Sequence, residues 1–184
     1  TEIIEPGEAI TDGSIIESNT RMFEQMVIEQ GGLAKRCPIL EDVYEKILEE
    51  VKKAVAVSDM VIINAGSSAG RDDYTVHVLR ELGEVLIHGV AIKPGKPVIL
   101  AIVDKKPVIG LPGYPVSAYI AFENFVSPVL AMMGQLPVKT DYEVPAVVSR
   151  RLVSSLKHKE YVRIKAGVVG GRMVAAPLAR GAGA

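Results

Sequence analysis

The sequence predicts an α/β protein: a three-layer αβα domain built on a mostly parallel sheet, followed by a partial all-β segment. Three observations carry this expectation. Short apolar runs at 60–63 and 107–111 each lead through a loop rich in small residues or proline into a helical pattern, as buried strands of layered domains do. The segments between them place apolar residues at helical spacing, with charge on the opposite side. From Gly134 onward the pattern changes to short strands separated by glycine turns. The chain has 184 residues, 48% hydrophobic and 23% charged. That is enough to bury a core without disulfides or metals, and it excludes disorder as the main state.

In chain order, Pro6-Gly7 and Asp12-Gly13 mark a loop over 5–13. Ser18 or Asn19 can cap a helix running to about Gln30, with Met22, Phe23, Met26 and Val27 as its apolar stripe and Gly31-Gly32 as its end. A short strand is expected at 33–39. Asp42 with Glu45 resembles a capping box before a helix whose inner face carries Val43, Ile47, Val51 and Ala54. The strand at 60–63 runs into a small-residue loop at 64–70 and then a helix with Val76, Leu79 and Leu82 inward. Residues 85–92 are strand-like. Residues 97–103, the turn Asp104-Lys105-Lys106, and 107–111 read as a hairpin. Pro112-Gly113-Tyr114-Pro115 then opens a long helix to about Met133. Residues 135–141 read as a linker, and 142–149, 160–166 and 172–176 as the strands of the β-segment.

Composition narrows the function. Lysine plus arginine is 21 and aspartate plus glutamate 22, a formal charge of -1, so a general nucleic-acid binder is not expected. Cys37 is the single cysteine, which excludes an intrachain disulfide; it reads as a small buried hydrophobe. His77, His88 and His158 lack metal-ligand spacing. Residues 1–10 carry three glutamates and no basic region, so no secretory leader is expected. The apolar stretch at 116–133 holds Glu123, Asn124 and Pro128 and reads as a buried helix, not a membrane span. A cytoplasmic location follows from these expectations.

Three segments could carry chemistry. The loop containing Gly66, Ser67, Ser68 and Gly70 joins a strand to a helix, where backbone N–H groups can approach an anion; a tight turn would need the same glycines. It is neither the Walker lysine loop nor a dinucleotide fingerprint. Asp72 and Asp73 at the helix start suffice as caps, but a carboxylate beside a phosphate loop can also hold magnesium. Lys93-Pro94-Gly95-Lys96-Pro97 fixes two ammonium groups around a rigid turn. The second strand-to-helix junction, 110–117, has a tightly specified backbone. A rigid turn and solvated lysines would account for each segment alone, but two junctions on one sheet plus the lysine turn could converge on a phosphorylated ligand.

These motifs resemble the MoeA family. Asn64-Ala65-Gly66-Ser67-Ser68-Ala69-Gly70 followed by Asp73-Tyr74-Thr75, then Ala91-Ile92-Lys93-Pro94-Gly95-Lys96-Pro97, then Gly110-Leu111-Pro112-Gly113-Tyr114-Pro115-Val116-Ser117-Ala118, occur in that family's order and spacing. Its members are molybdopterin molybdenumtransferases, related to the E domain of gephyrin. The opening segment, with Glu5-Pro6-Gly7 and Ser18-Asn19, is also similar. The resemblance implies that 1–135 form the molybdopterin-binding α/β domain without its first strand, and that 138–184 begin the C-terminal β-domain. It implies insertion of molybdate into adenylylated molybdopterin, with release of AMP, in a magnesium-dependent reaction.

Carried over by residue, the resemblance gives Asp73, Lys93 and Lys96 as candidate catalytic residues, with Asp73 at the metal. Asn19, Gly66, Ser67, Ser68, Gly70, Pro112, Gly113, Pro115 and Ser117 become candidate substrate-binding residues. Two departures stand out. Asn64-Ala65-Gly66 replaces the family's Ser-Gly-Gly, and Tyr114 replaces the Asn of its Pro-Gly-Asn-Pro turn. These substitutions leave open an alternative, a non-catalytic binding or scaffolding module that kept the fold. A MogA-like adenylyltransferase is disfavoured by Asp73-Tyr74-Thr75 and by the β-segment. By itself the chain is not expected to be a competent transferase. Self-association, as a homodimer or otherwise, is expected because a missing first strand exposes a sheet edge.

Overall fold

A computed structural model describes residues 2–64, 74–137 and 142–178. Its centre is a four-stranded sheet. In chain order the elements before and within it are β1 (Ile3–Ile4), β2 (Ile15–Ile16), α1 (Asn19–Glu29), α2 (Tyr44–Val57), β3 (Val61–Asn64), α3 (Tyr74–Leu82), β4 (Glu84–His88), β5 (Ile92–Lys93), β6 (Ile99–Val103) and β7 (Lys106–Leu111). The helical stretch that follows is α4 (Pro115–Ala121), a π-helical turn (Phe122–Val126) and α5 (Ser127–Met133). The remaining strands are β8 (Val147–Val148), β9 (Lys159–Glu160), β10 (Ile164–Val169) and β11 (Arg172–Pro177).

The strand order is β3-β7-β6-β4. Strand β7 is central, and its residues from Val108 to Leu111 are buried on both faces. It separates two apolar layers. Ile47, Val51 and Val55 of α2 and Val76, Val78 and Leu79 of α3 pack on one face, against Ile99, Ala101, Val103 and Val108. Phe23, Met26 and Val27 of α1 and Ala118, Ala121, Phe122 and Val126 of the C-terminal helical stretch pack on the other, against Ile109 and Leu111. The period of two along β6 and β7 assigns alternate side chains to the two layers. The three-layer α/β expectation therefore holds. Within this sheet, however, only β3 and β7 are parallel, and β6 is antiparallel to both β7 and β4. A two-residue turn and a short return forbid the long crossover that a parallel neighbour requires.

That turn is at Asp104-Lys105, where both φ values are positive, 48° and 63°. This is the backbone twist that a two-residue hairpin loop needs. Lys106, just after it, donates to the carbonyl of Val55 at 2.6 Å. The ammonium thus satisfies one of the free carbonyls at the C-terminal end of α2.

Several local expectations change. Residues 33–39 form no strand; Leu33 is fully exposed, and Arg36 reaches back to Glu24 of α1 at 3.0 Å. With no neighbouring strand to bury it, the segment runs over the surface, and Cys37 is exposed, not buried. Partial burial and nearby Glu50 hold its thiol above the ordinary cysteine value. Asp42 does not cap α2: Val43 occupies the cap position in extended geometry, and Glu41 pairs instead with Lys46. The strand-like stretch at 85–92 divides into β4 and β5 around Gly89, whose φ is +87°. The β-segment strands are shorter than expected near 142–149, where only Val147–Val148 pairs.

The long apolar helix spans Pro115–Met133, long and apolar enough to cross a membrane by length and composition. Its inner face, with Ala118, Ala121, Phe122 and Val126 fully buried, belongs to the core, and Phe122 stacks on Phe23 at a ring separation of 5.6 Å. Pro128 lacks the N–H that would reach back one turn, and the π-helical turn lies directly before it.

Candidate functional site

The site begins at the carboxyl ends of β3 and β7. The parallel register sets Asn64 opposite Leu111, so the carboxyl ends of β3 and β7 lie side by side. Asn19 ties the two together: its Nδ2 donates to the Gly113 carbonyl at 2.7 Å and to Asn64 Oδ1 at 3.3 Å. Asn19 is 6% exposed. It begins α1, whose first turn is held by Glu17, not by the side chain of Ser18. Glu17 accepts from the Thr20 N–H and from the Thr20 hydroxyl, both at 2.7 Å. A carboxylate suits a helix N-terminus, and the two Thr20 donors offset its burial.

The lysine turn forms the next wall. Its base is closed by Gly89 donating to Val98 and Val90 donating to Lys96, both at 2.8 Å. The Lys93–Pro94 bond is cis, and Gly95 has a φ of +109°. A Cβ on Gly95 would stand 3.0 Å from Ile92 Cδ1 and 3.4 Å from the Ser117 carbonyl. The glycine is needed for its positive φ, and the tight approach to Ile92, with α4 in ordinary contact behind, leaves a side chain little room.

Between this turn, the second junction and the β-segment lies a cavity of about 610 Å³. Lys93, Lys96, Pro112 and Ser117 line it, so the structure brings these four predicted residues together. Gly113 and Pro115 do not line it; the first is held by Asn19 and the second opens α4. Asn19 lies on the sheet side of the junction. Gly66, Ser67, Ser68, Gly70 and Asp73 lie outside the described residues. Tyr114 is 65% exposed and lines the cavity without filling it.

The opposite wall was not anticipated. Ser155, His158, Glu160, Tyr161 and Arg163 all line the cavity. They come from the segment around the strand expected at 160–166, where no local signal marks them. What places them is pairing: β9 adds to β5 in parallel, with Lys93 opposite Glu160. Lys159 also lies over the Tyr161 ring, 5.0 Å from its centroid. Two lysines, a histidine and an arginine among prolines and aliphatic side chains make a site for a ligand with both an anionic group and an apolar body. Among the described residues, no group of three His, Cys, Asp or Glu side chains could hold a metal.

The profile of a family described as a probable molybdopterin binding domain matches residues 2–132. A protein of Methanocaldococcus jannaschii named for molybdopterin biosynthesis is 36% identical over 159 residues, covering 85% of this chain and 37% of that protein. A molybdopterin molybdenumtransferase of Haemophilus influenzae is 29% identical over 168 residues, covering 88% and 40% respectively. The crystal structure of a molybdopterin biosynthesis MoeA protein from Pyrococcus horikoshii superposes with a TM-score of 0.79 at 33% identity, over 99% of this chain and 44% of that one. The chain thus spans about two fifths of the length of these relatives. On a profile match over most of its length and a shared architecture, the chain belongs to the molybdopterin-binding domain family, and it is MoeA-like in sequence and fold.

Proposed function

We propose that this chain is the pterin- and phosphate-binding part of a molybdopterin molybdenumtransferase, a protein that inserts molybdate into adenylylated molybdopterin and releases AMP. The observation that carries the reading is the cavity that brings Lys93, Lys96 and Ser117 together in a chain of this family. The physical requirement is to bring one anion, molybdate, against another, the phosphate-bearing pterin. Repulsion between unit charges about 4 Å apart costs about 4 kcal/mol near a protein surface and more where water is excluded. Fixed ammonium groups offset that repulsion without reorganising. Lys93 and Lys96 fill this role, and Pro112 and Ser117 shape the wall that orients the ligand. Gly113, fixed by Asn19, sets the exit of the junction. The scheme requires no covalent protein nucleophile.

In this reading, 1–135 act as the pterin-binding unit and 138–184 as the start of a second, β-rich unit. Gly66, Ser67, Ser68 and Gly70 contribute backbone N–H groups to phosphate. Magnesium enters only through the family resemblance. Asp73, its one named ligand, lies outside the described residues, and the described residues supply no donor set for it. Self-association and a cytoplasmic place belong to the same reading. The end position of β3 in the strand order supports the former, since an apolar end strand invites pairing.

The test is to titrate adenylylated molybdopterin with magnesium into the full-length protein and to assay AMP release on adding molybdate. Lys93→Ala should weaken binding about 10-fold or more, the scale of a hydrogen bond to a charged group. Binding without AMP release would favour the scaffolding alternative. No binding would remove both.

A further inference from the structure

We propose that Ser155 and Glu160 are positioning residues that hold the Lys93 ammonium at the cavity wall, so that the β-segment sets the geometry of the lysine turn. The inference rests on the reading of that turn as the anion-binding wall. Four observations support it. Lys93 Nζ donates to Ser155 Oγ at 3.3 Å. Ser155 is itself fixed by Glu160: its hydroxyl and its backbone N–H, the latter at 3.2 Å, both donate to Glu160 Oε1. The backbone is clamped alongside, with Tyr161 N–H donating to the Lys93 carbonyl and Lys159 N–H to the Ala91 carbonyl, both at 2.8 Å. Finally, the Tyr161 hydroxyl donates to Asn124 Oδ1 in the π-helical turn, which anchors the clamp to the core helix.

The physical logic is preorganisation. A lysine has one of the most flexible side chains, and freezing it on binding costs rotamer freedom. Ser155 takes one of the three ammonium protons and leaves the other two for an anion. A hydroxyl that donates to a carboxylate is a better acceptor, so Glu160 strengthens the hold of Ser155 on the lysine. The ammonium is thereby aimed before the ligand arrives, and part of the ordering cost is removed from binding. Neither Ser155 nor Glu160 needs to touch the ligand.

The experiment is a double-mutant cycle in the full-length protein, with affinity for adenylylated molybdopterin as one readout. The second readout is the side-chain nitrogen NMR signal of Lys93, assigned by its loss in Lys93→Arg. Ser155→Ala should weaken binding about 3- to 10-fold, the scale of one hydrogen bond. In a Lys93→Ala background the same change should have almost no effect, because the group it positions is gone. Ser155→Thr, which keeps the hydroxyl, should restore affinity, and Glu160→Gln should weaken binding in the same direction as Ser155→Ala. The slowly exchanging Lys93 ammonium signal should be present in wild type and in Ser155→Thr, and absent in Ser155→Ala. An equal loss of affinity in both backgrounds would mean a general structural effect and would overturn the proposal. So would an ammonium signal indifferent to Ser155→Ala. If Lys93→Ala leaves affinity unchanged while the signal still depends on Ser155, the site reading fails and the positioning of the lysine stands.

Discussion

Replacing Gly95 with alanine tests whether the lysine turn is shaped by its contact with α4. Two costs can be read from the structure. The first is backbone conformation: a φ of +109° is one that L-residues rarely adopt, at about 1–3 kcal/mol. The second is contact. The new Cβ would meet Ile92 Cδ1 at 3.0 Å, a tight approach to a side-chain end that must give a little, and would sit in ordinary contact with the Ser117 carbonyl at 3.4 Å, which leaves the turn little room to relax toward α4. Gly7 supplies the control, with a φ of +100° and nothing within 4 Å of its Cβ position. Gly7→Ala therefore carries the backbone cost alone, in an open loop able to relax. Each kcal/mol shifts the melting midpoint of a chain this size by about 2–4 °C. The backbone cost alone thus lowers the melt by roughly 2–12 °C, and Gly95→Ala, with the Ile92 contact added and little room to relax, should melt clearly below Gly7→Ala. It should also bind adenylylated molybdopterin more weakly, because a change of backbone at Gly95 shifts Lys93 and Lys96, which flank it. The assays are thermal melting by circular dichroism and ligand titration. If Gly95→Ala matches Gly7→Ala in melting and wild type in affinity, the turn is not held against α4.

Three further outcomes are expected. A Cβ on Gly83 would lie 2.1 Å from the Ile102 carbonyl oxygen, in strand backbone that cannot yield; Gly83→Ala should cost about 3 kcal/mol or more, seen as a fall in denaturant midpoint or in soluble yield. Phe122, fully buried against Phe23, joins the helical layer to the sheet, so Phe122→Ala should cost about 3–5 kcal/mol and Phe122→Leu distinctly less by the same measure. The Tyr44 hydroxyl donates to Glu81, and this hydrogen bond, with a smaller contribution from desolvation, raises the phenol above the ordinary tyrosine value. Because the folded value is the raised one, the contribution to stability is complete below the unfolded value and fades as pH rises through the folded one. A near-ultraviolet phenolate titration should show Tyr44, identified by its loss in Tyr44→Phe, ionising late, and Glu81→Gln should bring it down.

Much of the architecture was legible because its signals are local. The hairpin turn at Asp104-Lys105, the cap-to-glycine span of α1 and the apolar runs of β3 and β7 each depend on a few neighbouring residues. The same locality misled at 33–39, where apolar residues suggested a strand and no strand among the described residues pairs with it. It misled again at Asp42, whose spacing to Glu45 fits a cap although Val43 takes that place. The site was half legible. Lys93 and Lys96 stand out because prolines and a glycine fix their turn, and Pro112 and Ser117 because their junction does the same. Ser155 and Glu160 carry no such mark: their role comes from a partner about 60 residues earlier in the chain, as the separations of 62 between Ser155 and Lys93 and 5 between Ser155 and Glu160 make plain.

The sequence by itself determined the layered α/β class, the helices of the core, the two strand-to-helix junctions and the lysine turn, because helical period, turn chemistry and backbone restriction act over a few residues. Only the tertiary structure decided that β6 and β4 run antiparallel within the central sheet, that Asn19 links the end of β3 at Asn64 to Gly113 of the junction after β7, and that β9 closes the cavity by pairing with β5. Those outcomes depend on which distant segments meet. The choice is made by burying apolar faces on both sides of one sheet while pairing every buried backbone group, a condition that no short stretch of sequence can state.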